Sequence, residues 1–250
     1  FAMSFALSSD GLTLAAGSPD YSQGSRATGP TRTMGGRVWV YEWDTSQSPP
    51  NWKLKGSPID GSWSLLNSEV LSGSYSANSN HWHLVGREKF GSSLGINDAG
   101  TRIVVGAEGA AWNRDRNGDQ NTVAGYAQVF EYVNGDWVSM KFDSGIATGL
   151  QLGRQQALQG NNDERVFGYD WKGQFGSTVE MNDLGNLIFV NGGVGEQGAS
   201  PNWRGYIRIF KYNEADLVWE EVLNDCEGMG LSSSQKQQYR DRHTAPAVHP

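Results

Sequence analysis

Apolar residues along this chain fall in short runs, each closed by Gly, Asn or Asp. Leu12 to Gly17, Ile103-Val104-Val105 and Leu187-Ile188-Phe189-Val190 are nearly apolar throughout. A strand of that kind is buried on both faces. Arg37 to Trp43 alternates but is apolar in both phases, with Val38 and Val40 on one side and Trp39, Tyr41 and Trp43 on the other. Asp10-Gly11, Asn97-Asp98-Ala99-Gly100 and Asn182-Asp183-Leu184-Gly185 supply the φ > 0 positions of short hairpins. The nearest approach to a helical pattern is the polar stretch from Ser232 to Arg242. The pattern predicts an all-β protein.

The pattern also repeats. With Phe1, Phe90 and Phe175 in register, Phe1–Gly17, Phe90–Gly106 and Phe175–Asn191 align without a gap. A second block follows each: Arg37 to Trp43, Tyr126 to Tyr132, Tyr206 to Tyr212, preceded by Gly36, Gly125 and Gly205. Trp52, Trp137 and Trp219 come next, and the first two each lie 38 positions before the following Phe. Self-similarity at a fixed period marks a repeat architecture. Each repeat reads as four strands with both faces apolar, which suits sheets stacked between like sheets, as in a β-propeller.

Phe90-Gly91-Ser92-Ser93, then Val105-Gly106-Ala107-Glu108, then Gly125 to Tyr132 resemble one FG-GAP repeat, the unit of integrin-α-like β-propellers. Phe1-Ala2 with Ala16-Gly17-Ser18-Pro19 is similar, and Phe175-Gly176 with Asn191-Gly192-Gly193 less so. The resemblance covers about two thirds of the chain. It implies three four-stranded antiparallel blades and a habit of binding proteins, glycans or matrix outside cells. The expected organisation is 1–60 blade one, 61–89 spacer, 90–144 blade two, 145–174 spacer, 175–227 blade three and 228–250 extended tail. Three blades do not close a ring, since propellers need at least about four. The expectation is therefore a segment of a larger propeller, or one completed by another chain. The spacers are long for structureless loops, which points to an extra strand or a wrapped neighbour.

Composition narrows the functional classes. The net charge is −7 and Lys and Arg are scattered, so a nucleic-acid partner is not expected. No apolar run is long enough for a membrane-spanning helix. One cysteine, Cys226, rules out an internal disulfide framework.

The candidate chemistry is sparse. Asn113, Asp115, Asn117 and Asp119 alternate around Gly118 like the first half of an EF-hand loop, so calcium is the candidate cofactor. The closing Glu is absent, with Ala124 in its place, and the alternative is a polar loop held by Asx-turns. The strand-one hairpins hold too few oxygens for calcium. Gly91-x-Ser93-x-Gly95 matches a nucleophile elbow, but Ser93 is in register with Ser4 and Thr178 and reads as a structural repeat position. Gly193-x-Gly195-x-x-Gly198 lacks the surroundings of a dinucleotide site, and His81 and His83 have no third ligand nearby. Tyr41, Trp43, Phe130, Tyr132, Phe210 and Tyr212 recur by register and read as core. Trp63, Tyr75, Trp82, Trp171 and Trp203 do not recur, and are the candidate partner-binding residues. The repeat architecture without a convergent catalytic set suggests a non-enzymatic interaction or structural module whose partners are other protein chains or further blades; the resemblance implies a cell-surface or extracellular setting and adds glycans to the candidate partners. The alternatives are a calcium-dependent or glycan-binding adhesion propeller and an accessory domain of an enzyme.

Overall fold

The computed structural model describes residues 3–21, 35–61, 88–109, 125–143, 165–167, 174–192 and 206–225. These residues are all-β, and no helix occurs among them, so none is long and apolar enough to cross a membrane. They form three five-stranded sheets.

The first sheet contains β1 (Ser4–Leu7), β2 (Thr13–Ser18), β3 (Arg37–Asp44), β4 (Asn51–Leu54) and β5 (Ile59–Asp60). The second contains β6 (Phe90–Ile96), β7 (Arg102–Ala107), β8 (Tyr126–Val133) and β9 (Asp136–Ser139). β10 (Lys141–Phe142) leaves it to pair with the third sheet, and β11 (Val166–Phe167) returns to it. The third contains β12 (Thr178–Met181), β13 (Leu187–Gly192), β14 (Tyr206–Asn213) and β15 (Val218–Asp225). The four principal strands of each sheet pair antiparallel in chain order.

Each hairpin between the first two strands of a sheet is held by one side chain at the same register. Asn97 Oδ1 accepts from the N–H of Thr101 at 2.9 Å and of Arg102 at 2.8 Å. Asn182 Oδ1 accepts from Asn186 and Leu187 at 3.0 and 2.8 Å. In the first sheet the Ser8 hydroxyl accepts from the Thr13 N–H at 2.9 Å. Gly11, Gly100 and Gly185 close these turns at φ +71°, +60° and +69°, a region that penalises a Cβ.

The expectation of four strands per unit is corrected here to five. β4 pairs only with the C-terminal half of β3, Tyr41 to Asp44. β5 fills the remaining half through Val38 and Arg37. β11 does the same beside β8. Without these strands half of a long strand would present unpaired N–H and C=O groups. In the third sheet β15 pairs with β14 from Ile207 to Asn213, with a bulge. Its fifth strand, β10, pairs parallel to β15. β10 lies within 90–144 and β11 within 145–174, so the second sheet draws on the second spacer and the third sheet on residues of the preceding unit.

Two apolar cores lie between the sheets. One joins Val38 and Val40 of the first sheet to Leu94, Ile103, Val105, Tyr126 and Phe130 of the second. The other joins Val104, Ala127 and Val129 of the second to Val179, Ile188, Val190, Phe210 and Trp219 of the third. The middle sheet is thus buried on both faces, as its apolar strand β7 requires.

Candidate interaction surface

The two seams between sheets use the same residues twice. Gly36 bridges to Phe90, and Gly125 to Phe175, each in parallel fashion. Both phenylalanines are fully buried. The glycine after each has φ +84° (Gly91) or +83° (Gly176), a conformation that costs other residues about 1–2 kcal/mol. That turn aims its carbonyl back at the preceding sheet. The Ser4 hydroxyl donates to the Gly91 carbonyl at 2.6 Å, and the Ser93 hydroxyl to the Gly176 carbonyl at 2.7 Å. Gly17 and Gly106 lie directly under these carbonyls, and a Cβ on either would collide with the oxygen. Ser93 therefore works as a seam donor on strand β6.

A cation closes the hairpin end of each seam. Lys55 Nζ donates to the Gly100 carbonyl at 2.7 Å and lies 5.0 Å from the Tyr132 ring centre. At the second seam Arg102 Nη1 donates to the Gly185 carbonyl at 3.1 Å, with its guanidinium 4.6 Å from the Tyr212 ring centre. Burial lowers the Lys55 pKa and raises that of Tyr212, since each loses solvation of its charged form. Lys55 follows β4 whereas Arg102 opens β7, so these cations are not at one repeat register.

The β8–β9 hairpin also clamps the first sheet. Trp137 Nε1 donates to the Lys55 carbonyl at 2.7 Å. The Asp136 carboxylate accepts from the Ser57 N–H at 2.7 Å and the Trp137 N–H at 2.9 Å. These bonds hold its pKa below the usual carboxylate value of 3.8. A depressed carboxylate stabilises the fold above its unfolded pKa, and that contribution is lost as pH falls through the folded value. Asp136→Ala is expected to lower Tm near neutral pH, with the gap to wild type closing as pH drops below 3.8. Thermal melts across that range check it; a gap that is constant with pH would refute the linkage.

The sequence-derived candidates fall elsewhere. Asn113, Asp115, Asn117 and Asp119 lie outside the described residues. So do Trp63, Tyr75, Trp82, Trp171 and Trp203, along with His81, His83, Cys226 and the Gly193 to Gly198 loop. Among the described residues no group of three or more His, Cys, Asp or Glu side chains could hold a metal ion. Lys55, Arg102, Asp136 and the buried pair Arg208–Glu221 emerge only from the structure. Nothing in the repeat pattern singles them out.

The recurring aromatics divide by sheet. Phe130, Phe210 and Tyr212 are buried, but their first-sheet counterparts are not. Tyr41 is half-buried, and Trp43 is 36% exposed. Cross-strand pairing places Phe5, Leu7, Tyr41, Trp43, Trp52 and Leu54 on one face of the first sheet. Phe5 is 77% and Leu7 53% exposed. The expectation that Tyr41 and Trp43 are core is thus corrected: no described sheet packs on that face. A contiguous apolar face of this kind marks an interaction site.

The described residues define an all-β repeat protein of stacked antiparallel sheets. No family model matches the chain, and no curated protein matches it. Among solved structures it is similar to a putative 6-phosphogluconolactonase from Bacteroides uniformis, at 11% identity and TM-score 0.39, covering 89% of this chain and 40% of that one. It is also similar to the tricorn protease, at 10% identity and TM-score 0.37, covering 90% of this chain and 18% of that one. The chain therefore spans less than half the length of either.

Proposed function

We propose that the chain is a non-enzymatic interaction or structural module, a three-unit FG-GAP-like β-propeller segment acting at a cell surface or in an extracellular assembly. Its partners on this reading are other protein chains or further units of the same array. The observation that carries the reading is the apolar outward face of the first sheet, beside seams in which the recurring polar groups are consumed in holding sheet to sheet. The carbonyls of Gly91 and Gly176 and the hydroxyls of Ser4 and Ser93 bond to one another across the seams. The hairpin Asn side chains bond their own backbone. Repeated polar positions are thus explained by architecture.

The experiment is purification of the full chain from its native source, wild type beside Trp43→Ser. Wild type should emerge in a stable protein complex, and Trp43→Ser should lose at least about 1.4 kcal/mol of that association, a tenfold weakening. A wild-type chain isolated as a free monomer would overturn the reading. Calcium titration of wild type and Asp115→Ala separates the calcium-dependent adhesion version: only a binding heat lost in Asp115→Ala sustains it.

A further inference from the structure

Both internal seams join unlike faces. The earlier sheet presents a socket of small side chains, and the later sheet presents a plug of large ones. Across the first seam Ser4, Ala6, Ala15 and Gly17 face the plug of the second sheet. Across the second, Ser93, Gly95, Val104 and Gly106 face the plug of the third. The small residues let backbones approach, and Gly17 and Gly106 admit no Cβ.

The outward face of the first sheet is a plug by this measure. Phe5, Leu7, Tyr41 and Trp43 stand in register with Leu94, Ile96 and Phe130, which fill the first seam, and Tyr132, which meets Lys55 at its end. The outward face of the third sheet is not a socket. Cross-strand pairing puts Thr178, Glu180, Leu187, Phe189 and Asn191 there. Glu180 replaces Ala6 and Gly95; Phe189 replaces Ala15 and Val104; Asn191 replaces Gly17 and Gly106. Phe189 is 36% exposed. The closing cation is also missing, since Leu187 replaces Arg102 and Val222 replaces Lys55. Lys211 sits instead where the other sheets carry Glu42 and Glu131.

We propose that the outward face of the first sheet docks a partner β-sheet of this same repeat class, one whose facing side is small and ends in a Lys or Arg over Trp43. The third sheet of another copy of this chain is not that partner. The inference deepens the interaction-module reading and rests on it. The seams within the molecule define the occupant: a hydroxyl and a Gly opposite the plug, and a cation reaching the Gly11 hairpin.

The test rebuilds the missing socket on the full chain with E180A, L187R, F189V and N191G together, and follows sedimentation at micromolar concentration. Purified wild type, separated from its native partners, is expected to stay monomeric. The four-fold variant is expected to associate head to tail, at least about tenfold more tightly than wild type, and Phe5→Asp added to it should abolish association. A folded four-fold variant as monomeric as wild type would overturn the proposal. So would a wild-type oligomer dissolved by Phe5→Asp or Phe189→Asp, because a second copy would then be the occupant. Gly106→Asn, tested alone, needs no folded four-fold variant. It transplants Asn191 into an inner seam and should lower Tm sharply, and an unchanged Tm would remove the argument that Asn191 blocks docking. A native complex that depends on Phe189 and not on Trp43 would sink this inference while leaving the module reading standing.

Discussion

Gly106→Ala is expected to destabilise the protein by about 3 kcal/mol, the upper end of what overpacking costs. The added Cβ meets the Gly176 carbonyl oxygen and carbon, both backbone atoms of the next sheet. Flexible side chains can swing aside, but this carbonyl cannot. It is fixed by the φ +83° turn of Gly176 and by the Ser93 hydroxyl at 2.7 Å. Relief requires lifting the third sheet off the second, which opens the core around Val104, Val179 and Phe210. Gly135→Ala is the control. Gly135 has φ +90° but nothing within 4 Å of its added Cβ, so only backbone strain of about 1–2 kcal/mol remains. Denaturant unfolding of both variants decides it. Equal losses would mean that the close approach across the seam contributes nothing beyond strain.

That comparison also shows why the seams were legible in the sequence. A Gly forced by a neighbouring backbone must recur wherever the contact recurs. Gly17, Gly106, Phe90-Gly91 and Phe175-Gly176 therefore stand out as register positions, and the all-β character and the strand order follow from them. The interruption of the fourth strand was not legible. β5 and β11 have two residues each and carry no periodicity. The crossing of β10 into the third sheet is set by the packing of Phe142 on Trp219 and Phe210, a tertiary contact without local signature. The cations were invisible for another reason. Lys55 and Arg102 reach equivalent places from different strands, so no alignment of repeats brings them together. The loop residues proposed as binding contacts belong to segments outside the described residues. The apolar face that the structure exposes is built instead from repeat positions, Tyr41 and Trp43 among them, whose recurrence argued for burial.

Removing Arg208 while keeping Glu221 is expected to cost about 3 kcal/mol, because it breaks a bidentate ion pair inside a buried seam. The two are in register with ordinary positions of the other sheets. Arg208 stands where the first sheet has Trp39 and the second has Gln128. Its side chain is 1% exposed and that of Glu221 is 4% exposed. Nε and Nη2 donate to the two carboxylate oxygens at 2.6 and 2.8 Å, a bidentate geometry that Lys cannot reproduce. The guanidinium also lies 4.8 Å from the Phe210 ring centre and 5.6 Å from that of Phe175, inside the second seam. Arg208→Met keeps much of the packing but removes the bidentate partner of the Glu221 carboxylate. The double variant Arg208→Met, Glu221→Leu removes both charges and should recover most of the loss, because two charges taken out of water contribute little net stability over apolar residues of similar size. A double-mutant cycle by denaturant unfolding reads the difference, with an expected coupling above about 2 kcal/mol. Additive losses would show that Arg208 acts through its ring contacts and not through its carboxylate partner. Recovery in the double variant would place the pair as a specificity device within the apolar core of the second seam, one that admits the third sheet only in the register where fork and carboxylate meet.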